Sequence, residues 1–346
     1  MESEEGTNEQ GGDLTMLSFK NVTKVFLPGT PDEKLALDNV SFDVKDGEFV
    51  TIIGGNGSGK STTLNILAGT MDPDGGSVQL NNVDITGISE YNRARYFARV
   101  FQDPRMGTAG GMQVEENLAI ASRKGSHRGL SWYVTKKQRK EFKELLEPFG
   151  LGLENRLTAK TEVLSGGQRQ ALTLLMATLR AEPSHKQIIK DYYTFSMGDK
   201  EKAREEVTKA YDEYKHEYEE KLIEIKSNTN LSHKEKKQLG KDAYAEFDKK
   251  FRKYDLTKQI LLLDEHTAAL DPKTAKMVLE LTNKIVRENH LTTLMVTHNM
   301  RDALLYGDRL IMFHSGHIIH DFSKEEKAKL TSADLLKFFD EADSKL

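Results

Sequence analysis

The octapeptide Gly54–Ser61 has the composition of a phosphate-binding loop. It fits the pattern G-x-x-x-x-G-K-[ST], in which backbone N–H groups close around phosphate oxygens. In such a loop Lys60 reaches the β- and γ-phosphates of a nucleotide, and the Ser61 hydroxyl holds Mg²⁺. The loop residues that we expect to contact the nucleotide are Gly54, Asn56, Gly57, Ser58, Gly59, Lys60, Ser61 and Thr62.

Two carboxylates, Asp264 and Glu265, end a run of four apolar residues. This is the pattern of a Walker B strand, whose acid holds the metal ion of a P-loop site. We therefore predict that Asp264 is a Mg²⁺ ligand and that Glu265 orients and activates the attacking water. A surface pair of carboxylates that caps a turn is the alternative, and the P-loop upstream argues against it.

Gln102 and His298 each end a run that reads as a buried strand. Ligand sites of parallel sheets lie at the C-terminal ends of their strands. Gln102 is therefore a candidate sensor of Mg²⁺ and the γ-phosphate, and His298 a candidate catalytic residue. Taken alone, such a glutamine is more often a surface residue and such a histidine more often structural. The functional assignment of both residues is supported only because the P-loop and the carboxylate pair are present.

Strand and helix signals place these residues in an α/β fold. The P-loop follows a buried strand at 49–53 and begins a helix at 61–67, which is the context that the motif requires. Strands before the loop predict a β-rich edge beside an α/β core. We predict further strands at 14–19, 22–26, 35–44, 77–81, 260–265, 292–298, 309–313 and 317–322, and helices at 114–120, 136–149, 164–179, 271–288 and 332–339.

The complete motif set resembles that of the ATP-binding-cassette (ABC) ATPases. In the order of that family, the sequence has a Walker A loop, a Q-loop, an LSGGQ signature, a Walker B strand, a D-loop and an H-loop. The resemblance covers about residues 14–322 apart from one insertion. Beyond Walker A, the motifs lie at Phe101–Asp103, Leu164–Gln168, 260–265, Ala269–Asp271 and Thr297–His298.

The resemblance implies more than the motifs do separately. Members of the family work as head-to-tail pairs, with ATP between the Walker A loop of one subunit and the signature of the other. A homodimer with ATP and Mg²⁺ is therefore expected. Phe26 falls where the family places an aromatic ring that stacks on adenine, although it could also be a core phenylalanine. The residues that would add to the partner's nucleotide site are Ser165, Gly166, Gly167, Gln168 and Asp271.

A narrower resemblance concerns transport. The runs LDEHTAALDP and MVTHNM resemble ATPase subunits of bacterial importers for tryptophan or other small organic solutes. That implies integral membrane permease subunits, an extracytoplasmic solute-binding protein and a peripheral position on the cytoplasmic face of the cell membrane. His266 departs from the family, because many members have proline there, and residues 171 and 176–179 are less basic than usual. Exporter ATPases share all of these motifs, so the direction of transport stays open.

Composition limits the other function classes. The 346-residue chain is 37% apolar and has a net charge of −4, so no basic field suggests nucleic acid as a partner. A nucleic-acid or ribosome-associated ABC ATPase is the less favoured alternative. The absence of cysteine excludes disulfides, iron–sulfur clusters and cysteine zinc sites. No run approaches 18 apolar residues, so we expect no membrane span. Residues 1–13 should form a disordered tail.

An insertion separates the signature from Walker B. Ser165 and Asp264 lie 99 positions apart, and about 75 residues, 184–258, exceed an ordinary connection. The insertion holds 18 Lys/Arg and 16 Asp/Glu. We predict an antiparallel helical hairpin with an aromatic seam, which points away from the nucleotide. It could be self-packed, a docking surface or a nucleic-acid contact. Its two apolar stripes are Val207, Tyr211, Tyr214, Tyr218, Leu222 and Ile225, then Tyr244, Phe247, Phe251 and Tyr254.

These patterns predict six segments. The ATP-binding core is split into 14–104 and 259–322 by a helical subdomain with the signature and by the insertion. The full division is 1–13 as tail, 14–104 as core, 105–183 as helical subdomain, 184–258 as inserted hairpin, 259–322 as core and 323–346 as C-terminal helical tail.

Overall fold

Two β-sheets form the frame of the protein. A computed structural model describes residues 15–123, 134–179, 184–195, 199–255 and 259–344. The predicted tail, 1–13, and the predicted first strand residue, Leu14, lie outside the described residues. The strands are β1 Thr15–Phe26, β2 Lys34–Lys45, β3 Phe49–Gly54, β4 Gly75–Leu80, β5 Val83–Asp84, β6 Phe97–Val100, β7 Ile260–Asp264, β8 Thr292–Val296, β9 Arg309–His314 and β10 His317–Phe322.

Helices cover these sheets and form the insertion. Short 3₁₀ turns follow several of them, for example after α4 and α8. The helices are α1 Lys60–Ala68, α2 Glu90–Arg93, α3 Val114–Ala121, α4 Lys136–Leu146, α5 Gly166–Thr178, α6 His185–Phe195, α7 Lys200–Ser227, α8 His233–Phe251, α9 Pro272–Glu288, α10 Met300–Leu305, α11 Lys324–Lys327 and α12 Ser332–Asp343.

The sheet topology confirms the predicted fold class. An antiparallel sheet of order β2-β1-β4-β5 forms the β-rich edge. The second sheet has the order β10-β9-β3-β8-β7-β6, and its strands are parallel except β10. Ile52 pairs with Val296, and Val296 pairs with Asp264. The strands before the P-loop, the carboxylate pair and His298 therefore end at one edge of the sheet.

The first strand corrects one expectation. Residues 14–19 and 22–26 were predicted as separate strands, but β1 runs through both. Its register against β2 shifts between Phe19 and Val22, and Asn21 lies between them with φ of 50°. Such a left-handed residue is typical of a bulge. The bulge interrupts the alternation of side chains, which is why the sequence reads as two strands.

Side chains on the two faces of the parallel sheet enter different cores. From β7, Ile260 and Leu262 pack with α1 and the edge sheet, whereas Leu261 and Leu263 pack with α5 and α9. Both faces are covered, so the strand is apolar from Ile260 to Leu263, as buried parallel strands are. The helical region after residue 105 thus shares a core with the sheet.

Glycines and one buried arginine fix the helix that follows the P-loop. Gly59, the N-cap of α1, has φ of 106°, and a Cβ there would lie 2.7 Å from the Ala36 carbonyl oxygen. At the other end Arg93 is fully buried and donates to four carbonyl oxygens. A cation at a helix C-terminus satisfies its free carbonyls and its dipole. The acceptors are Ile66 at 2.6 Å, Leu67 at 3.1 Å, Thr86 at 2.6 Å and Ile88 at 2.9 Å.

The described part of the insertion contains the predicted hairpin and an additional helix. Helices α7 and α8 form the hairpin, and their rings meet along the predicted seam, with Tyr218 stacked on Phe247 at 5.5 Å. Helix α6 was not predicted. It packs Ile188 against Val207 and Phe251. It spans 11 residues against 28 for α7, so its apolar positions repeat over fewer turns.

The insertion contacts the core at the edge opposite the P-loop. Asp191 of α6 pairs with Arg95 at 2.6 Å, just before β6 begins. Burial raises the pKa of this carboxyl, and the Arg95 charge opposes that shift. Downstream, the N–H of Ile260, the first residue of β7, donates to the Tyr96 carbonyl at 2.7 Å. The insertion thus joins the N-terminal ends of the strands, as predicted from its position in the sequence.

The C-terminal segment packs against α10 and the strands β9 and β10. Thr331 is the N-cap of α12, one of the two predicted caps, and its hydroxyl pairs with Asp334. Helix α11 was not predicted. It buries Lys327, whose ammonium donates to the Gly307 carbonyl at 3.1 Å and to the Tyr306 carbonyl. Burial lowers the pKa of Lys327 to about 8. Of the helices in the described ranges, none is both long and apolar enough to cross a bilayer.

Replacing Phe251 by alanine should loosen the insertion and leave the P-loop intact. Phe251 is fully buried between Tyr211 and Tyr254, and its removal should cost the packing of α6–α8 about 3–5 kcal/mol. Hydrogen exchange should accelerate in these helices, while ATP affinity stays unchanged. Ile223→Ala is the control, because this α7 residue is 67% exposed and does not belong to the predicted stripes. Unchanged exchange in α6–α8 would contradict the packing described here.

Candidate functional site

A cavity of about 230 Å³ opens at the P-loop. Its walls come from the edge sheet, the loop, the start of α1 and the end of β7. Phe26 lies on the edge-sheet side and Glu265 on the strand side, so the structure brings both predicted residues to the loop. The complete lining is Phe26, Lys34, Ala36, Asn56, Gly57, Ser58, Gly59, Lys60, Ser61, Thr62 and Glu265.

Lys60 is the buried cation of this cavity. Its side chain folds back under the loop, where the ammonium donates to the carbonyls of Gly54 at 2.9 Å and Gly55 at 2.8 Å. Only 5% of the residue is exposed. Burial lowers the pKa of Lys60, while the charges of Glu265 and Asp264 act in the opposite direction. Gly54 therefore takes part through its carbonyl and does not line the cavity.

Asp264 has a cationic neighbour that sequence reasoning missed. Its Oδ2 atom accepts from Arg99 Nη2 at 2.6 Å, and Arg99 Nη1 donates to Asn65 Oδ1 at 2.7 Å. Arg99 extends from β6, where it pairs with Leu262 in the neighbouring strand, and its guanidinium lies over the Phe101 ring. An arginine inside an apolar strand departs from the strand pattern, and this departure was the sequence feature that could have indicated a role for Arg99.

Glu265 and His298 meet at the ends of adjacent strands. The Glu265 N–H donates to the Val296 carbonyl at 3.0 Å, and its side chain lies 3.4 Å from His298 Nδ1. Glu265 has φ of 44°, a left-handed conformation that costs energy for a non-glycine residue. The His298 side chain is 61% exposed and that of Glu265 19% exposed. The carboxylate is thus held at the cavity wall with an imidazole behind it.

Gln102 does not belong to the cavity lining. It is exposed and comes two residues after the end of β6. The preceding Phe101 carbonyl accepts from Gln170 Nε2 at 3.3 Å, which connects the Q-loop to helix α5. The predicted contact of Gln102 with Mg²⁺ and the γ-phosphate stays a prediction.

The signature residues lie elsewhere in the chain. Ser165 is the N-cap of α5, and its hydroxyl accepts from Gln168 N–H at 3.3 Å. The Gln168 side chain pairs with Arg156 at 3.1 Å and with the Leu151 carbonyl at 3.0 Å. Neither residue lines the P-loop cavity. Gln168 therefore has an internal structural role that its motif did not reveal.

The signature glycines pack against the segment that contains the D-loop. A Cβ at Gly166 would lie 3.4 Å from Leu270 Cδ2, and a Cβ at Gly167 only 2.2 Å from Thr274 Cγ2. Asp271 is the N-cap of α9, and its carboxylate accepts from Thr274 N–H at 3.1 Å. Hydrogen bonds from the Thr274 hydroxyl and from its N–H lower the pKa of Asp271. Gly167 thus permits close packing of α5 on α9 within one chain.

The oxygen groups near the loop fit a magnesium ion. Mg²⁺ prefers hard oxygen ligands and keeps most of its coordination for water and phosphate. The Ser61 hydroxyl lies in the cavity, and Asp264 has a second carboxylate oxygen beyond the one that Arg99 contacts. In the part of the chain that the structure describes, no group of three or more metal-binding His, Asp or Glu side chains occurs. This donor set therefore suits an ion held mainly by nucleotide phosphates.

His266, where the resemblance leads one to expect proline, is a buried structural residue. It is 2% exposed, and its Nε2 lies 3.1 Å from Thr282 Oγ1 on α9. Burial lowers its pKa to about 4. The imidazole is consequently neutral at physiological pH and connects the end of β7 to α9. It takes no part in the cavity.

Comparisons with known proteins agree with the motif set. The family described as "ABC transporter" matches residues 37–185. The tyrosine transport ATP-binding protein of Clostridioides difficile is 37% identical over 327 residues, which are 94% of this chain and 100% of that protein. The methionine import ATP-binding protein MetN of Corynebacterium glutamicum is 27% identical over 312 residues, 88% of this chain and 62% of that protein.

Solved structures agree on the fold. A dimeric ATP-binding cassette in a post-hydrolysis state, bound to ADP and Pi, has a TM-score of 0.57 at 24% identity and covers 89% of this chain and 99% of that one. The ADP conformation of a second ATP-binding cassette has a TM-score of 0.59 at 22% identity and covers 94% and 98%. At these identities the likeness supports the fold of the chain.

Gly167→Ala should destabilise the chain by about 1–3 kcal/mol, because the new methyl group overlaps Thr274 Cγ2. Adding Thr274→Ser removes that methyl and leaves the next Thr274 atom at 3.5 Å, so the double variant should recover its melting temperature. Gly166→Ala is the control and should melt near the wild type. If the double variant is as unstable as Gly167→Ala, the packing explanation is wrong.

Acid should destabilise the protein through His266. In the unfolded chain this histidine binds a proton near pH 6.5, but in the fold only near pH 4. The unfolded state therefore binds more protons in this window, and stability falls as the pH drops, by about 3 kcal/mol at pH 4. Chemical denaturation from pH 7 to 4 should show a shallower loss for His266→Gln. The exposed control His233→Gln should keep the wild-type slope. Equal slopes for all three proteins would contradict the burial effect.

Proposed function

The chain belongs to the ABC transporter ATP-binding subunits, and from this membership we propose that its ATP hydrolysis drives the import of a small organic solute such as an amino acid. The observation that carries the proposal is the 37% identity with a tyrosine transport ATP-binding protein across that protein's whole length. An aromatic amino acid is therefore the first substrate to test. The relative described as a methionine import protein supports uptake as the direction.

We place ATP in the cavity at the P-loop. Phe26 offers a ring face to the adenine, and the loop N–H groups with the N-terminus of α1 face the phosphates. Lys60, which now donates to loop carbonyls, gains phosphate oxygens as charged partners. Ser61, Asp264 and Gln102 would hold Mg²⁺, which neutralises phosphate charge when bound.

Glu265 acts as the general base in this proposal. Its carboxylate lies at the cavity wall, where it can accept a proton from the water that attacks the γ-phosphate. His298 lies 3.4 Å behind it and orients it. Gln102, beyond the end of the neighbouring strand, completes the group. The left-handed backbone of Glu265 fixes the direction of its side chain.

A second copy of the chain completes each site. Ser165, Gly166, Gly167 and Gln168 belong to helix α5 and do not line their own chain's cavity. The N-terminus of α5 with the Ser165 hydroxyl suits an anion. Two copies in head-to-tail arrangement would therefore enclose two ATP molecules, with Asp271 at the junction. ATP binding closes the pair and hydrolysis reopens it.

The transport pathway belongs to other chains. We propose that permease subunits contact the Q-loop and the helical subdomain 105–183, on the cytoplasmic face of the membrane, and that an extracytoplasmic solute-binding protein supplies the substrate. The segments 14–104 and 259–322 act as the ATP-binding core. The insertion 184–258 joins the sheet at the edge away from the P-loop, so it lies outside the hydrolysis step.

Glu265→Gln should retain ATP binding but lower turnover at least about a hundredfold, since the general base is lost. Size-exclusion chromatography with light scattering should show a dimer that persists with ATP. Glu280→Gln, an exposed change on α9, is the matched control and should hydrolyse ATP normally. Turnover of Glu265→Gln at the wild-type rate would disprove the assignment of the base.

The partner is tested by capture from native membranes. Tagged Glu265→Gln protein is held in its ATP state and purified from gently solubilised membranes, and co-purifying chains are identified by mass spectrometry. A multi-span permease beside a secreted solute-binding protein is the expected result. A permease of the exporter type would overturn the direction of transport. Recovery of ribosomal, DNA-bound or soluble assembly proteins alone would overturn the transport proposal.

A further inference from the structure

Lys34 is a cation of the P-loop cavity that the motifs do not include. It is the first residue of β2 and pairs directly with Phe26, the last residue of β1. Side chains that lie opposite each other in an antiparallel pair project from the same face of the sheet. Both residues line the cavity. The ring proposed to stack on adenine and the Lys34 side chain therefore enter the site together.

The Lys34 ammonium reaches the middle of the P-loop. A Cβ built at Gly57 would lie 2.8 Å from Lys34 Nζ, so the ammonium rests against the loop where a side chain would otherwise stand. Gly57 has φ of 78°, which also favours glycine there. Lys34 and the loop residues Asn56 to Lys60 thus line the same cavity.

The charge of Lys34 has no carboxylate partner among the residues in the described ranges. The adjacent carboxylate of Glu33 instead accepts from Gly29 N–H at 2.6 Å in the β1–β2 loop. Glu265, the acidic residue of the cavity lining, has His298 at 3.4 Å. An exposed ammonium beside an anion-binding loop is therefore free to take an anionic ligand.

We infer that Lys34 is a second phosphate-binding lysine of the nucleotide site. Lys60 approaches the loop from α1, and Lys34 approaches from β2. A charge-assisted hydrogen bond from Lys34 to a phosphate oxygen strengthens binding in proportion to the negative charge of the nucleotide. Lys34 would therefore favour ATP and ADP over AMP and adenosine. This inference rests on the proposed nucleotide site, and the test separates the two.

The test compares ligands that share the base but differ in charge. ATP, ADP, AMP and adenosine are titrated calorimetrically into the wild type, Lys34→Ala and Lys34→Arg. Lys34→Ala should lose about three- to tenfold in affinity for ATP and ADP and nothing for adenosine, since one exposed charged hydrogen bond is removed. Lys34→Arg should bind like the wild type. Lys20→Ala, an exposed lysine change on β1, is the matched control.

Each outcome distinguishes the possibilities. Loss of ATP affinity in Lys34→Ala that shrinks at high salt, with adenosine binding unchanged, supports the phosphate contact. Equal loss for ATP and adenosine would overturn it, because Lys34 would then support the base or the fold. Unchanged ATP affinity would overturn it as well. If the wild type itself binds no ATP, the proposed nucleotide site fails, independently of Lys34.

Discussion

The burial of the Lys60 ammonium is the constraint on which the site depends. An unpaired charge in a protein interior is costly unless polar groups surround it. Lys60 donates to the Gly54 and Gly55 carbonyls, and at Gly54 a Cβ would lie 2.4 Å from the Phe313 carbonyl oxygen. Burial lowers the pKa of Lys60, while the charges of Glu265 and Asp264 oppose that shift. We propose that a nucleotide phosphate completes this environment.

The packing around the loop also keeps Lys60 in its buried position. Gly59 allows the start of α1 to touch the Ala36 carbonyl, and Arg93 satisfies the other end of that helix. The helix is therefore held at both ends, and its first residues, Lys60, Ser61 and Thr62, line the cavity. The parallel order β3-β8-β7 then brings Glu265 and His298 to the same edge. The register of the parallel strands therefore positions the site residues, while the insertion joins the opposite edge of the sheet.

Motif residues could be predicted because local sequence decides their position. The local sequence of strand, glycine loop and helix determines the position of Lys60 without contacts from elsewhere in the chain. The strand that ends in two carboxylates determines the position of Glu265 in the same way. Other site residues depend on contacts distant in sequence. Lys34 meets Gly57 only because β2 pairs with β1, and Arg99 meets Asp264 only because β6 lies beside β7. Neither pairing can be read from residue spacing.

The same distinction explains the remaining differences. The stripe of α7 and α8 was long enough to predict their hairpin, but α6 depends on packing against both of them.

The measurement that tests the account most directly is calorimetric titration of ATP into the wild type and Lys60→Met, which keeps the length of the side chain and removes its charge. The account predicts a loss of affinity of at least about tenfold. Equal affinities would contradict the central role of the Lys60 ammonium.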